Sequence, residues 1–335
     1  MNLNKIFTSH MVFQAHKPIR VFGEGTGRVK LNFAGKEIIY TSYEPKWTVE
    51  FPAMEYGGPY TMTVEFENRT VLLEDIYVGE VYLFSGQSNM DFSMRYQKDF
   101  NPDSYESDEK LRLFVVKDKK WNSRFSVDSG WQKCESEQII NWSALAYFVG
   151  SEIRKKKDVA VGVVVCAFGA SVIESWVPDK TFEKIGINLN DEQKFIDHTY
   201  EEYSGWNKNG YLYENELSQI MPFSFSTVVW YQGESDVSKE EAAVYLDELR
   251  ELIRVWRKGF CVDNLPFVVV QLADFTGRAD TGWSLVQKAQ SDVQYLLDNV
   301  KTVISRDVCE DDEIHPPTKD KLAHRIAGVL INWMI

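Results

Sequence analysis

Residues 81–90 read V-Y-L-F-S-G-Q-S-N-M, so that four apolar residues run directly into a small polar segment rich in turn formers. A short continuous apolar run that stops at turn residues is typical of a buried strand in a parallel sheet, which is covered on both faces. Ser88 lies past this strand, in the turn, whereas Ser85 lies at its end. The stretch therefore predicts a buried strand that leads into an accessible serine.

After Gly79 strand-like and helix-like segments alternate, which predicts a mostly parallel α/β sheet. Apolar residues three or four positions apart indicate helices around 145–153 and 246–256, and a last helix is expected after Pro316. Ser238 and Glu241 form a capping box that starts the second of these helices. Further continuous apolar runs predict buried strands at 161–167, 227–231, 267–272 and 302–304.

The first 78 residues have a different rhythm, with apolar and polar residues alternating over 29–33 and 60–66. This period of two predicts a small antiparallel β-sandwich domain over residues 1–78, ahead of a catalytic domain over 79–335. Residues 179–224 are polar and aromatic and too long for a simple connection. We expect this segment to be an insertion that faces the substrate.

The composition excludes several classes of protein. With 335 residues, 44% of them hydrophobic, the chain is globular, and its net charge of −13 argues against nucleic-acid binding. The four cysteines are widely separated and predict neither a metal site nor a disulfide framework. No stretch is apolar enough to span a membrane, and the first residues lack a signal peptide core. A cytoplasmic protein is expected, although a secreted protein after signal removal would look the same.

Several predicted strands end in residues that carry chemistry. In an open parallel sheet, ligands bind beyond the carboxyl ends of the strands, so these residues are expected to converge. Taken singly, each has an ordinary alternative as a turn, helix cap or solvated loop residue. Together they supply the parts of an acyl-transfer site. The strand ends lead to Ser88, Gly169, Gln232 with Glu234, and the pair Asp312 and His315.

These residues suggest the roles of a serine esterase. Ser88 would attack an ester carbonyl, His315 would accept its proton, and Asp312 would orient the imidazole. The backbone N–H groups of Ser88 and Gly169 and the side-chain amide of Gln232 would form the oxyanion hole. Glu234 is predicted to orient Gln232 or the Ser88 loop.

Three motifs in this order resemble the SGNH (GDSL-type) hydrolase superfamily, specifically its sialate O-acetylesterase-like branch. They are S-G-Q-S-N-M at 85–90, W-Y-Q-G-E-S-D at 230–236 and D-E-I-H-P-P-T-K at 312–319. The resemblance implies a flavodoxin-like α/β/α sandwich with a mostly parallel sheet, a catalytic Ser–His pair, and neither a metal nor another cofactor. It places the nucleophile at Ser88, the oxyanion glycine at Gly169 and the amide donor at Gln232.

The motifs also depart from this branch. Residues 168–171 read F-G-A-S where the branch usually reads W-G-G-T, and Glu313 stands where an Asp usually precedes Ile-His. Glu313 is therefore a second candidate for the carboxylate that contacts His315. Asn89, next to the nucleophile, and Trp176, an aromatic residue suited to stacking on a sugar, are further candidates for the pocket.

The leading hypothesis is a serine esterase that removes O-acetyl groups from a sugar or glycan, either a sialic acid or a unit of an acetylated polysaccharide. A GDSL-type lipase or thioesterase is the second hypothesis, although the predicted insertion is polar rather than an apolar lid. A carbohydrate-binding protein that has lost catalysis is the third. The sequence leaves the sugar, the position of its acetyl group and the oligomeric state open.

Overall fold

The protein is described here by a computed structural model that covers residues 1–118, 125–187, 205–278 and 281–333. Within these ranges the strands are β1 Asn2–Leu3, β2 Val12–Gln14, β3 Ile19–Glu24, β4 Gly27–Phe33, β5 Lys36–Ser42, β6 Lys46–Phe51, β7 Gly57–Phe66, β8 Arg69–Gly86, β9 Asp108–Val115, β10 Gln132–Cys134, β11 Val161–Ala167, β12 Thr227–Tyr231, β13 Phe267–Val270 and β14 Val300–Val303. The α-helices are α1 Ser88–Asp91, α2 Ala144–Lys156, α3 Tyr211–Asn215, α4 Lys239–Gly259, α5 Trp283–Asp292 and α6 Asp320–Trp333.

The chain folds into a mixed α/β structure whose main sheet is mostly parallel. Strands β9, β11, β8, β12, β13 and β14 lie side by side in this order and each pairs in parallel with its neighbours, while β10 adds an antiparallel edge. Strand β8 lies between β11 and β12, so residues 81–86 are buried on both faces. This position explains why the sequence is continuously apolar there.

Helices cover the parallel sheet in two packed pairs. Helix α2 packs against α6, and α4 packs against α5. The predicted capping box is present at the start of α4, where Ser238 and Glu241 each accept a hydrogen bond from the other's backbone N–H at 3.2 Å. Its two reciprocal hydrogen bonds satisfy backbone donors that the first turn of a helix leaves unpaired.

The N-terminal part is mostly antiparallel, as its period of two predicts, although β2 pairs in parallel with β8 at residues 77–79. Strands β1, β3 and β6 form one small sheet. Strands β5, β4, β7 and the first half of β8 are hydrogen-bonded in this order and form a second layer. The rings of Phe33 and Phe51 meet across the two layers with centroids 5.8 Å apart. A single hydrophobic core continues from this part into the rest of the molecule.

The predicted domain boundary after residue 78 falls inside one continuous strand. Strand β8 pairs with β7 up to Val78, and from Glu80 onward it pairs with β11. The sequence rhythm changes near Gly79 because the strand changes partners there. A Cβ at Gly79 would lie 2.1 Å from the carbonyl oxygen of Ala160, so this close approach requires a glycine.

Other expectations differ in detail. Strand β14 begins two residues earlier than predicted. Strand β9 and helix α5 were not predicted; β9 opens with the charged residues D-E-K, which are atypical of a buried strand. Of the predicted insertion at 179–224, residues 188–204 lie outside the described ranges. None of the helices in the described ranges is long and apolar enough to cross a membrane.

Candidate active site

The site begins where β8 turns sharply into α1. Gly86 has φ +138°, and a Cβ there would lie 2.0 Å from the carbonyl oxygen of Tyr231. Glycine is therefore required both by the backbone conformation and by the close approach of strand β12. The turn leaves Ser88 partly exposed at the start of α1, whereas Ser85 is buried and its hydroxyl donates to the carbonyl oxygen of Cys166 at 2.6 Å.

His315 lies directly opposite this serine. Its Nε2 is 2.7 Å from Oγ of Ser88, although the two residues are 227 positions apart in the chain. The imidazole is open to the cavity on one side. Partial burial on the other side lowers the pKa of His315, and the positive charge of Lys319 lowers it further. The ring is therefore neutral at neutral pH and able to accept a proton from the serine.

A buried polar network ties the serine turn to the histidine loop. The side-chain amide of Asn89 donates to Oε1 of Glu234 at 2.6 Å and to the carbonyl oxygen of Ile314 at 2.9 Å. Its Oδ1 accepts a hydrogen bond from Nζ of Lys319 at 2.6 Å, and the ammonium also lies 4.8 Å from the ring centroid of Phe92. Asn89, the residue after Ser88, is thus hydrogen-bonded to Ile314, the residue before His315.

Burial shifts both charged members of this network. Lys319 is fully buried, and burial lowers its pKa to about 8. Burial also raises the pKa of Glu234, against the opposing effect of its hydrogen bond from Asn89. Asn89 and Glu234 are among the residues predicted from the sequence, whereas Lys319 is not, although this lysine ends the D-E-I-H-P-P-T-K motif.

We expect Lys319→Met to move the acid limb of the pH dependence of kcat/KM to higher pH. The lysine charge lowers the pKa of His315, so its removal lets the imidazole hold its proton at higher pH, where it no longer acts as a base. A pH series of kcat/KM with a simple acetyl ester measures the shift. Lys301→Met, at an exposed position of β14, is the control, and an unmoved acid limb in Lys319→Met would contradict this electrostatic role.

The structure does not bring the predicted acid into contact with the histidine. Asp312 and Glu313 are both exposed, and between the residues that the structure describes no hydrogen bond joins the His315 ring to either carboxylate. Glu313 does line the cavity in front of Ser88. Short loops can bring a residue at i−3 onto an imidazole, but neither the spacing nor the resemblance fixes the direction of the side chain.

The backbones of Gly169 and Ser88 lie next to each other at the site. A Cβ built on Gly169 would lie 3.8 Å from Cβ of Ser88, so the two residues are close neighbours. In the described parts of the chain neither backbone N–H donates to a protein atom. The loop that carries Gly169 is held by the indole of Trp206, which donates to the Gly169 carbonyl oxygen at 3.0 Å. The part of the predicted insertion that begins at residue 205 therefore packs against this side of the site.

Gln232 does not supply the third donor that the sequence analysis expects. It is fully buried, and its side-chain amide donates to the carbonyl oxygen of Ser171 at 2.9 Å and to the carboxylate of Asp236. Its Oε1 accepts from the hydroxyl of Tyr245 at 2.9 Å. Both amide hydrogens are thus used within the core, beneath the Gly169 loop, and none points into the cavity.

The aromatic residues near the site also differ from expectation. Trp176 is fully buried, in ring contact with Trp230 and Trp256, so it is part of the core and does not face a sugar. The cavity wall instead contains Phe92 and Tyr96, which the sequence analysis missed. Their signal was available, because these two aromatic residues lie only four and eight positions after Ser88 in the sequence.

Within the described ranges no group of three or more His, Cys, Asp or Glu side chains is arranged to hold a metal ion.

The family model of the carbohydrate esterases described as sialic acid-specific acetylesterases matches residues 78–332, which is most of the chain. The chain belongs to this family. The match begins in the middle of β8 and includes the whole parallel sheet and both halves of the candidate site.

Individual proteins that are similar to this chain are also carbohydrate esterases by name. Human sialate O-acetylesterase is 25% identical over 318 residues, and the mouse protein of the same name is 25% identical over 336 residues. The alignments include 85% and 84% of this chain but only 60% and 62% of those proteins. The crystal structure of a carbohydrate acetylesterase from Xanthomonas citri superposes with a TM-score of 0.83 at 26% identity, covering 97% of this chain and 73% of that one.

Proposed function

We propose that this chain is a serine esterase that removes O-acetyl groups from carbohydrates, with Ser88 as nucleophile and His315 as general base. The observation that carries the proposal is the 2.7 Å contact between His315 Nε2 and Ser88 Oγ, next to the backbone N–H groups of Ser88 and Gly169, which donate to no protein atom in the described ranges. The family to which the chain belongs supports an acetylated sugar or glycan as substrate, and so does the similarity of the chain to sialate O-acetylesterases and to a carbohydrate acetylesterase.

We also propose the SGNH-type fold for the parallel part. Without β9 and β10, which extend the sheet beyond β11, the strands β11, β8, β12, β13 and β14 are numbered 2-1-3-4-5 by their order in the chain, which is the flavodoxin-like order. Chain order reverses at β8, and ligands of such sheets bind at the carboxyl end of the strands at this switch point. Ser88 follows β8 and therefore occupies that position.

Acylation would begin with attack of Ser88 Oγ on the acetyl carbonyl carbon, while Nε2 of His315 accepts the hydroxyl proton. The carbonyl oxygen becomes an oxyanion, which the N–H groups of Ser88 and Gly169 would stabilise by hydrogen bonds that strengthen as the charge develops. The bond from the carbonyl carbon to the sugar oxygen then breaks, and His315 returns its proton to that oxygen. The sugar leaves as an alcohol, and Ser88 carries the acetyl group.

Deacylation repeats these steps with water. His315 accepts a proton from the water molecule as its oxygen attacks the acetyl carbonyl, and the same two donors stabilise the second oxyanion. Acetate leaves when the bond to Ser88 Oγ breaks and the serine recovers its proton from His315. The neutral imidazole that partial burial favours is the form needed at the start of each half-reaction.

Asp312 remains our proposed partner for the imidazole, and a pair of variants tests it. We expect Asp312→Asn to lower kcat by about 10²-fold or more, because a carboxylate that fixes the tautomer and stabilises the imidazolium acts in the transition state. Glu313→Gln should have the smaller effect on kcat. Steady-state kinetics with p-nitrophenyl acetate measures both, and loss of turnover only in Glu313→Gln would assign the role to Glu313.

Release of acetate from O-acetylated sugars by the purified chain and its loss in a Ser88 variant test the function as a whole. A GDSL-type lipase or thioesterase would instead favour long-chain acyl esters or acyl thioesters over acetylated sugars. A carbohydrate-binding protein would bind the sugar without releasing acetate. A panel of these three substrate types separates the hypotheses in one experiment.

A further inference from the structure

The cavity in front of Ser88 has walls whose chemistry the proposed reaction does not use. Its volume is about 560 Å³, within the range of roughly 300 to 1,000 Å³ that small-molecule sites occupy. Ser88 and His315 line this cavity, and so do Phe92, Tyr96 and Glu313.

The first feature of this wall is an exposed aromatic surface. Tyr96 is 61% exposed, and its ring meets that of Phe92 edge to face with centroids 5.8 Å apart. Phe92 is held from behind by the buried ammonium of Lys319. An aromatic face at the mouth of a cavity offers apolar contact to the C–H face of a pyranose ring while the tyrosine hydroxyl stays in water.

The second feature is the distribution of charge. Two carboxylates line the cavity, those of Asp91 and Glu313, and Glu313 is exposed. Asp91 is engaged by Lys117 at 2.5 Å, and the Lys117 side chain is only 8% exposed, with Nζ 5.1 Å from the ring centroid of Phe168. The ammonium of Lys319 is likewise buried and donates to Asn89. Both lysine charges therefore lie behind the wall, each already bonded, and a carboxylate faces the cavity.

We infer that this cavity binds the uncharged ring of an acetylated neutral sugar, with Tyr96 as the stacking surface and Glu313 as acceptor for ring hydroxyls, and that it disfavours acetylated sugar acids. A carboxylate accepts hydrogen bonds from two neighbouring hydroxyls, which a neutral sugar supplies. A sialic acid brings a carboxylate of its own, which Glu313 repels. The net charge of −13 opposes its approach as well.

The inference rests on the proposed esterase activity, and the experiment separates the two. Rates of acetate release are compared for p-nitrophenyl acetate, for a monoacetylated methyl glucoside or xyloside, and for 9-O-acetyl sialic acid. We expect kcat/KM for the neutral glycoside to exceed that for the sialic acid by about tenfold or more at low ionic strength. The preference should shrink as salt screens the repulsion.

Variants assign the effect to the two residues. Glu313→Gln should lower the preference about threefold or more, by raising kcat/KM for the sialic acid relative to the neutral glycoside. Tyr96→Ala should raise KM for the neutral glycoside about fivefold or more. Glu44→Gln and Tyr295→Ala, at exposed positions elsewhere, are the matched controls and should leave both quantities unchanged.

Each outcome decides one claim. Equal or better turnover of 9-O-acetyl sialic acid, with acetate released from both sugars, would overturn the inference and leave the esterase function intact. No acetate release from any of the three substrates would overturn the proposed function. Calorimetric binding to the Ser88→Ala variant, which needs no turnover, would then still decide the inference, since equal affinity for the two acetylated sugars contradicts it.

Discussion

We expect Ser88→Ala to reduce acetate release by about 10⁴-fold or more, because in the described ranges Ser88 carries the one hydroxyl that is hydrogen-bonded to His315. His315 Nε2 contacts only this hydroxyl in the candidate site, and the neighbouring Ser85 is buried with its own hydroxyl bonded to a carbonyl oxygen. Removing one oxygen atom at a partly exposed position leaves the fold intact. The loss should therefore appear in kcat, with binding of the acetylated sugar retained.

The measurement is single-turnover and steady-state release of acetate from p-nitrophenyl acetate and from an acetylated sugar. Ser104→Ala, at an exposed serine on a short helical turn, is the matched control and should retain the rate of the unaltered chain. A Ser88→Ala variant that keeps its rate would remove Ser88 as nucleophile, and the proposed mechanism with it. Circular dichroism of both variants establishes that the comparison is between folded proteins.

The second large effect is on stability: Gly86→Ala lowers the free energy of unfolding by roughly 3 to 5 kcal/mol. Two costs combine at this position. A φ of +138° is unfavourable for alanine, and the alanine Cβ would lie 2.0 Å from the backbone oxygen of Tyr231, in the neighbouring strand. Neither cost can be relieved by rotating a side chain, because the opposing atom belongs to the backbone at the centre of the sheet.

Gly328→Ala is the matched control for Gly86→Ala. Gly328 lies at an exposed position inside α6, and a Cβ there would meet no atom within 4 Å. The same substitution should raise the free energy of unfolding by about 0.5 to 1 kcal/mol, since alanine is the better helix former and restricts the unfolded chain. Urea unfolding of both variants gives the two values, and a Gly86→Ala change below about 1 kcal/mol would contradict the steric argument.

Strands and helices at the centre of the molecule could be predicted well from sequence, because both faces of a parallel sheet are buried and their apolar runs are continuous. The predicted strands at 161–167 and 227–231 agree with the structure residue for residue. The capping box of α4 is equally local, since four adjacent residues determine it. Strand β9 was not predicted because its charged first residues lie toward an edge of the sheet and are not buried, so they do not form an apolar run.

For the candidate site too, local features could be predicted from sequence and side-chain directions could not. The residue types of a serine esterase and their order were readable, and the structure brings Ser88, Gly169 and His315 together. Gln232 was misjudged because the direction of its side chain depends on what surrounds it. Ser171, Asp236 and Tyr245 come from three separate segments, and only their meeting turns the amide inward.

The aromatic residues show the limit most clearly. Composition cannot distinguish a tryptophan that stacks on a sugar from one that fills a core, and Trp176 proves to be fully buried whereas Tyr96 is exposed in the cavity. Burial depends on contacts between distant segments. Lys319 is a similar case, because its lowered pKa of about 8 arises from the burial that these contacts create.

The sequence by itself determined the strand that carries F-S-G-Q-S-N-M, the order of the motifs and the residue types of the chemistry, since these depend on local pattern and on the covalent identity of each side chain. Only the tertiary structure decided that Asn89, Glu234 and Lys319 join the two halves of the site. Only the tertiary structure buries the side chains of Gln232 and Trp176 in the core and leaves those of Tyr96 and Glu313 exposed. Direction, burial and charge environment belong to contacts between segments far apart in the chain, and no local pattern records them.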